Sequence, residues 1–472
     1  MRGRKTVFAL ALVSAMSSSA FARDGNLDKG FFDGGRQYVP MSAPFGGALG
    51  SGYGVLQSDG SVVVAGSSDL GGGGVQPDVH VRRLSAAGML DMNYGGTGET
   101  VVAFDRGGNN ADYVSGMAIQ NNGRVLVSGV SDGNNVNATG ADCFVFRLTT
   151  NGALDPQFST DGKAVIGFDY GPPTQQGDLC SGLVLQQDQQ ILVYGATTVP
   201  AGNAVAMAIA RLDSSGSPDL GFNNTGKRML SFGAGDIGSL AYKAVESPDH
   251  GILLVGIAAT AAGYDWGIAK LSVDGSDFPG FGSGGRVRFH AGVAGGTQEA
   301  AGAVLALPDN SFIVAGQAQG AAGSGTNFAV AKFHADGSVD TGFGIGGKRV
   351  IAFDYGGDNN ESANSLALDS QGRILVGGQV NVGPSNSDFI VVRLLADGSL
   401  DPSFGTAGRI NVELAAPPLV DTDETSNSLL LAPDGGIVIV GSGRNQQDSN
   451  HPSIGVAKLI GDTVFENDFE SE

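Results

Sequence analysis

Short apolar runs separated by polar, glycine-rich stretches are the main pattern along this chain of 472 residues. β-branched and aromatic residues fill the runs, and Gly, Asn, Asp and Pro separate them, which is typical of short strands joined by tight turns. No stretch shows a sustained helical period. The pattern predicts an all-β protein. A representative set of four runs is Gly116–Gln120, Arg124–Ser128, Phe144–Leu148 and Ala164–Phe168.

The set of four runs recurs seven times. Each copy has an Asp in a small turn, a Gly that closes an apolar run, and a basic residue followed by an apolar one. Four antiparallel strands repeated at a constant interval predict a seven-bladed β-propeller with one blade per repeat. The turn residues, spaced 58 to 64 positions apart, are Asp28, Asp91, Asp155, Asp219, Asp277, Asp340 and Asp401.

The two ends of the repeat array complement each other. The chain starts with one turn and one run, Arg36–Pro40, and the last repeat has only three runs, Ser428–Leu431, Ile437–Val440 and Ile454–Leu459. We therefore predict that the N-terminal run is the outer strand of the last blade. This pairing would close the ring and leave no open sheet edge.

Two turn segments carry a family resemblance. Ala396–Gly405 (ADGSLDPSFG) and Asn151–Phe158 (NGALDPQF) resemble the signature of the delta-60 repeat family, which consists of bacterial and mostly exported repeat proteins. The resemblance extends over nearly all of the chain after its N-terminal segment and implies a propeller-like fold. It implies no established activity and no agreed functional residue. The segments Ser217–Phe222 and Ser276–Pro279 depart from the signature, so we expect differently shaped turns there.

The N-terminal segment has the order of a secretory signal peptide: basic residues, the apolar run Val7–Ala15, and Ala20-Phe21-Ala22. The apolar run is too short to cross a bilayer. We expect cleavage after Ala22 and export to the periplasm, the cell surface or the extracellular space. The expected domains are a signal peptide (1–22), the propeller (23–461) and a short acidic tail (462–472) that is a candidate sorting element.

The charge balance limits the partners. The chain has 47 acidic and 27 basic residues, a net charge of −20. Binding of nucleic acid or of an anionic membrane surface needs clustered Lys and Arg. We therefore expect neither partner. No later stretch is long and apolar enough to cross a membrane, so we expect no membrane span, and we expect a monomer.

Five carboxylates recur at one position of the repeat, 17 residues before the Gly that closes an apolar run. Equal offsets predict equal heights at the rim of the central channel, where a ring of carboxylates would bind a hard cation such as Ca²⁺. The alternative is that each acid caps backbone amides or faces water. The five candidate metal ligands are Asp112, Asp178, Glu299, Glu361 and Glu424.

The two cysteines, Cys143 and Cys180, are candidates for a disulfide, because export would expose them to an oxidising compartment. Both are predicted on one face of the ring, in strands of neighbouring blades. A bridge requires Cα atoms within about 7 Å, and the sequence leaves that separation open.

Motifs for catalysis and organic cofactors lack their structural context. Gly280–Gly285 and Gly342–Gly347 match the glycine pattern of dinucleotide sites, but each precedes a predicted strand instead of a helix. Gly129–Gly133 matches G-x-S-x-G without the strand–turn–helix of a nucleophile elbow. The sequence therefore predicts no catalytic residue and no organic cofactor.

Three functions remain open. The first is an exported, non-enzymatic binding or scaffold propeller that presents its long loops to a ligand or protein partner. The second is a carbohydrate-active hydrolase or lyase, which a close, buried carboxylate pair in a deep channel pocket would favour. The third is a structural cell-surface protein. The loops in question are Ser67–Pro77, Ser131–Gly140, Gln317–Gly325 and Ala415–Ser426.

Overall fold

The structure is a computed structural model, and it describes residues 24–461 with several gaps. The predicted signal peptide and the acidic tail lie outside the described residues, as do large parts of the four long loops. The gaps are 33, 40–51, 70–76, 107–109, 133–139, 172–176, 200–203, 234, 293–295, 321–324, 354, 356–359, 384–385, 415–420 and 446–450.

Seven four-stranded sheets make up the described part of the chain, and its one helical element is the 3₁₀ turn Tyr94–Gly96. The strands are β1 (Arg36–Val39), β2 (Tyr53–Leu56), β3 (Val62–Asp69), β4 (Pro77–Leu84), β5 (Thr100–Val102), β6 (Asp112–Ile119), β7 (Val125–Ser131), β8 (Asp142–Leu148), β9 (Lys163–Ile166), β10 (Asp178–Leu185), β11 (Ile191–Thr198), β12 (Val205–Leu212), β13 (Lys227–Leu230), β14 (Gly238–Glu246), β15 (Ile252–Thr260), β16 (Gly263–Leu271), β17 (Arg286–Phe289), β18 (Ala300–Ala306), β19 (Phe312–Gln319), β20 (Thr326–Phe333), β21 (Lys348–Ile351), β22 (Ser362–Leu368), β23 (Ile374–Gly383), β24 (Asn386–Leu394), β25 (Arg409–Val412), β26 (Asp421–Leu431), β27 (Ile437–Asn445) and β28 (His451–Leu459).

Each sheet is one blade of a propeller. Blades one to six are the consecutive antiparallel groups β2–β5, β6–β9, β10–β13, β14–β17, β18–β21 and β22–β25. The first strand of each group touches the first strand of the next blade, and β26 touches β2, so the innermost strands form a closed cycle. The predicted seven-bladed, all-β propeller is confirmed.

The seventh blade joins the two ends of the repeat array. Its order is β1-β28-β27-β26, and β1 pairs antiparallel with β28 from Arg36↔Ala457 to Val39↔Ile454. The N-terminal strand therefore completes the last blade, as the incomplete end repeats predicted. No helix among the described residues is long and apolar enough to span a bilayer.

Hydrophobic clusters lie between neighbouring blades. One cluster joins Leu126 and Val145 of blade two to Ile191 and Val193 of blade three, all fully buried. An aromatic side chain from the turn that contains the recurrent Asp also packs at each junction. Phe158, for example, packs against Gly216 of the next blade, where a Cβ would come within 2.6 Å of the phenyl ring. Gly216 also has a φ of +90°, so glycine meets two constraints there. This position accounts for part of the high glycine content.

The recurrent Asp and the recurrent basic residue form ion pairs. Arg147 Nε lies 2.8 Å from Asp155, and Arg393 Nε lies 2.8 Å from Asp401. The other oxygen of Asp401 accepts the Ser403 N–H two residues later, which fixes the turn. Lys458 and Asp28, 3.3 Å apart, repeat the pair across the ring closure.

The two divergent turns behave differently. Asp219 keeps its pair with Arg211 at 2.7 Å, so the turn at Ser217–Phe222 preserves the common arrangement. In blade four, by contrast, Lys270 pairs with Asp249 at 2.7 Å instead of with Asp277. The altered sequence Ser276–Pro279 therefore accompanies an altered ion pair.

Candidate functional site

The five recurrent acids lie at the start of innermost strands, in blades two, three, five, six and seven. Their residues are at most 2% exposed, so water reaches them little. We call them the junction carboxylates, because each lies where two blades meet. They are Asp112, Asp178, Glu299, Glu361 and Glu424.

Each junction carboxylate accepts a hydrogen bond from the backbone of the preceding blade. The donor is always the N–H two residues after the outer strand, for example Phe104 N to Asp112 at 2.7 Å and Phe353 N to Glu361 at 3.0 Å. Glu424 accepts from Leu414 N at 2.9 Å. The acids therefore accept hydrogen bonds from backbone amides at the blade junctions. This role is the alternative to cation binding that the sequence left open.

Burial changes the acidity of the junction carboxylates. Desolvation raises the pKa of Asp112 to about 6 and that of Asp178 to about 6, and the neighbouring carboxylates Asp78 and Asp142 act in the same direction. Burial also raises the pKa of Glu299. None of the five acids is among the described residues that line the central cavity. Calcium binding by the set stays a prediction.

The axis of the propeller contains a different candidate site. A cavity of about 560 Å³ lies among the innermost strands, and residues from all seven blades line it. Its described lining contains no Asp or Glu. The residues with the longest polar or aromatic side chains are Tyr53, Tyr113, Tyr242, Lys243, Gln317, Asn364 and Asn427.

β-Bulges direct part of this lining into the cavity. In blade four the pairing of β14 with β15 skips one residue between Ala241 and Lys243, so Tyr242 is left out of the ladder. A bulged residue is unpaired, and the bulge changes the direction of neighbouring side chains. Six blades have the bulge at the same register, and all six skipped residues line the cavity: Ser115, Ser181, Tyr242, Gly302, Asn364 and Asn427.

The position after the bulge holds a lysine in one blade. Lys243 pairs with Val255, next to the glycine that closes β15's apolar run. The equivalent residue is Tyr53 in blade one and is small in the other five: Gly116, Gly182, Ala303, Ser365 and Ser428. Blades one and four are three steps apart, the largest separation in a ring of seven.

Lys243 has no counterion in the part of the chain that the structure describes. Among the described residues none forms an ion pair or hydrogen bond with Lys243 Nζ, and burial lowers the pKa of this lysine. Other lysines of the ring are paired, Lys270 with Asp249 and Lys332 with Asp340. Lys243 is therefore a single basic side chain on the wall of a polar cavity, with no ion-pair partner among the described residues.

Sequence reasoning missed this site, although a signal was present. The bulged position lies 14 residues before the repeat glycine, and its residue type varies from Gly302 to Tyr242 among repeats that otherwise agree. Positions that pack within every blade hold similar residues in all repeats. A position whose residue differs from repeat to repeat is not constrained by that packing, so it can serve ligand binding. The bulge itself leaves no mark in a single sequence.

The two cysteines are bonded in the structure. Cys143 of β8 and Cys180 of β10 have Cα atoms 5.5 Å apart, within the range for a bridge. The bond joins blade two to blade three, and Cys180 also lines the central cavity. No free cysteine is present among the described residues.

Two other clusters gather groups that bind metals. Asp265, His290 and Glu299 lie together at the junction of blades four and five. Asp142, Asp169 and Asp178 lie together at the junction of blades two and three. Each cluster contains one junction carboxylate, and no two of the five share a cluster.

Comparison with known proteins agrees with the fold. Five segments of the chain, together less than half of it, match a family described as a domain of unknown function (DUF5122), beta-propeller. No curated protein matches the sequence. The matched segments are 57–94, 120–158, 186–222, 307–343 and 370–404.

Solved structures with a similar architecture share little sequence with this chain. A protein of unknown function from Dyadobacter fermentans DSM 18053 is 14% identical, with a TM-score of 0.44, over 76% of this chain and 98% of that one. The polysaccharide lyase Uly1 is 10% identical, with a TM-score of 0.45, over 90% and 91%. The intramolecular trans-sialidase from Ruminococcus gnavus is 11% identical, with a TM-score of 0.41, over 89% and 96%.

Proposed function

We propose that this protein is an exported, non-enzymatic binding propeller that takes a polyhydroxylated organic anion into its central cavity. The observation that carries the proposal is the position of Lys243 on the cavity wall, where no described residue forms an ion pair with it and a bound anion would stabilise its protonated form. A charge without a counterion in a partly desolvated place is costly unless a ligand supplies the opposite charge. The loop face expected to bind a partner lies mostly outside the described residues.

The size and composition of the cavity support a small-molecule ligand. Its volume of about 560 Å³ falls in the range typical of ligand pockets, about 300–1,000 Å³. Tyr53, Tyr113 and Tyr242 offer flat apolar faces with hydroxyl groups, and Asn364 and Asn427 offer amide donors and acceptors. A ligand with several hydroxyl groups and one carboxylate, sulfate or phosphate matches this lining.

The hydrolase alternative gains no support from the cavity. Glycoside hydrolysis commonly uses two carboxyl groups on opposite sides of the scissile bond. The acids that the sequence offered for this role are the junction carboxylates, and they bind backbone amides between blades.

The test is a glycan array probed with the protein lacking residues 1–22. The array carries uronate-containing, sulfated and phosphorylated oligosaccharides beside neutral ones of the same length. We expect binding to acidic probes and at least tenfold weaker binding by Lys243→Met, which keeps the length of the side chain and removes its charge. Lys29→Met, at an exposed turn, makes the same change in net charge and should bind as the wild type does.

The Lys243→Met variant should fold normally, because it removes a charge that has no partner in the ring. Its thermal midpoint is measured beside the array. Binding of acidic probes that is the same in Lys243→Met and wild type would contradict the proposal, as would an absence of acidic ligands. Turnover of a bound glycan, detected by chromatography of the products, would contradict the non-enzymatic part.

A further inference from the structure

The junction between blades four and five contains a histidine between two carboxylates. His290 follows β17, Asp265 belongs to β16 of the same blade, and Glu299 directly precedes β18 of the next blade. His290 Nδ1 lies 3.2 Å from Asp265 Oδ1 and 3.3 Å from Glu299 Oε1. The three ligand atoms all lie within 4.8 Å of one another.

The two separations from His290 Nδ1, 3.2 and 3.3 Å, fit the first coordination sphere of a transition metal. Zn²⁺ binds imidazole nitrogen and carboxylate oxygen at about 2.0–2.2 Å, and neighbouring ligand atoms around such an ion are then about 3.0–3.5 Å apart. The set of one nitrogen and two carboxylate oxygens favours Zn²⁺ and similar ions over Ca²⁺, which prefers a shell of oxygen ligands.

The backbone fixes the buried member of the cluster. Glu299 accepts hydrogen bonds from Ala291 N at 2.6 Å and Gly292 N at 2.7 Å, which orient its carboxylate towards His290. Lys348 Nζ donates to the carbonyl oxygens of Ala291 and Gly292, at 2.7 and 2.9 Å, so this cation holds the same segment through its backbone.

An ion from solution can reach this place. The side chains of His290 and Asp265 are 36% and 32% exposed, whereas that of Glu299 is fully buried. A site with one rigid, buried ligand and two ligands at the surface is open to loading after folding.

The acidic cluster at the junction of blades two and three differs in its counterions. Asp142 there forms an ion pair with Arg106, and Asp169 lies 3.6 Å from Lys227 Nζ. Fixed cations already compensate two of its three carboxylates, and it has no imidazole. The comparison indicates that the cluster around His290 is the one suited to a metal.

We propose that Asp265, His290 and Glu299 form a binding site for a divalent transition metal of the Zn²⁺ class that ties blade four to blade five. The site is separate from the central cavity, and it does not depend on the function proposed for that cavity. A metal held by ligands from two blades stabilises the folded ring, since the unfolded chain does not hold the three groups together.

The experiment titrates ZnCl₂ into untagged protein freed of metal with EDTA, followed by calorimetry and thermal unfolding. We expect one equivalent of Zn²⁺ to bind and the melting temperature to rise by about 2–5 °C at saturation. Co²⁺ in the same site should give visible absorption bands typical of nitrogen and oxygen ligands. CaCl₂ at the same concentration should not compete with Zn²⁺ for this site, because Ca²⁺ prefers oxygen ligands.

Variants assign the ligands. His290→Ala should abolish binding, and Asp265→Asn should weaken it at least tenfold, since even residues outside the first coordination sphere change metal affinity by about 10–100-fold. His250→Ala is the matched control, because His250 forms a pair with Glu246 alone, at 3.1 Å, and is exposed. Melting curves in EDTA verify that every variant folds.

Two results would overturn the proposal. One is the absence of saturable Zn²⁺ binding in the wild-type protein. The other is binding that His290→Ala and Asp265→Asn leave intact while both variants melt normally in EDTA. Loss of Zn²⁺ binding together with intact ligand binding in the central cavity would separate this site from the function proposed above.

Discussion

The blade junctions and the central cavity differ in how alike their equivalent residues are from one repeat to the next. At the junctions, equivalent positions hold the same kind of group with the same partner, such as Asp112 with Phe104 N and Asp178 with Phe168 N. In the cavity, equivalent positions hold different groups, such as Tyr242 and Gly302, and no described residue forms an ion pair with Lys243. Residues that are the same in the repeats hold neighbouring blades together, whereas residues that differ among the repeats lie where a ligand can be recognised.

One bond connects the two regions, and its loss should have the largest effect. Cys143–Cys180 joins blade two to blade three and reaches the cavity wall. Closing a loop of 37 residues is worth about 4 kcal/mol in the chain-entropy description. We expect Cys143→Ala plus Cys180→Ala to lose stability of that order in urea unfolding, and reduction of the wild-type protein to give the same loss.

Alkylation followed by mass spectrometry checks the bond itself. The unreduced protein, denatured and treated with iodoacetamide, should gain no label, and the reduced protein should gain two. Two labels without reduction would mean that the cysteines are free thiols, and the stability difference would then need another cause.

A second prediction compares two copies of the recurrent ion pair that differ in burial. The side chains of Arg393 and Asp401 are 1% and 6% exposed, whereas those of Lys332 and Asp340 are 25% and 22% exposed. Asp401→Asn takes the 2.8 Å partner from the buried Arg393 and leaves it with Asp24 at 3.3 Å, so its charge is less well compensated. We expect Asp401→Asn to cost about 3 kcal/mol and Asp340→Asn about 0.5 kcal/mol.

Asn keeps the oxygen that accepts the turn amide, Ser403 N in one copy and Gly342 N in the other, so the comparison isolates the charge. Urea midpoints at constant slope measure both losses. Equal losses at the two positions would show that the turn, and not burial of the pair, determines the contribution.

The third and smallest effect is on the dependence of stability on pH. The folded-state pKa of Asp112 and Asp178 is about 6, above the ordinary value of 3.8, so the folded state binds more protons between pH 4 and 6. Their contribution therefore lowers stability as pH rises through that window. We expect the melting temperature, measured in EDTA, to be higher at pH 5 than at pH 7.5.

Below pH 4 the direction reverses. Ion pairing and turn hydrogen bonds lower the pKa of Asp91, Asp155 and Asp401, and their stabilisation is lost as these carboxylates take up protons. Asp112→Asn plus Asp178→Asn should flatten the change between pH 5 and 7.5, and Asp188→Asn at an exposed turn should not. An unchanged pH profile in the double variant would contradict this assignment.

The sequence by itself determined the number of blades, their order and the closure of the ring. The information was local: a turn Asp, a closing glycine and a basic residue recur in every copy, and in five of the seven the basic residue stands eight positions before the Asp. The pairing of β1 with β28 followed from the missing runs at the two ends, because a sheet edge needs a partner. The equal offsets of the five acids likewise indicated one shared role.

Only the tertiary structure decided what that role is and where a ligand fits. Asp112 reaches Phe104 N, eight residues earlier in the chain, because the outer strand of one blade ends beside the inner strand of the next. Tyr242 and Lys243 adjoin the cavity because a bulge interrupts β14. His290 meets Glu299 across a blade junction. Each depends on where the backbone places neighbouring side chains in space, which the pattern of apolar and polar residues does not record.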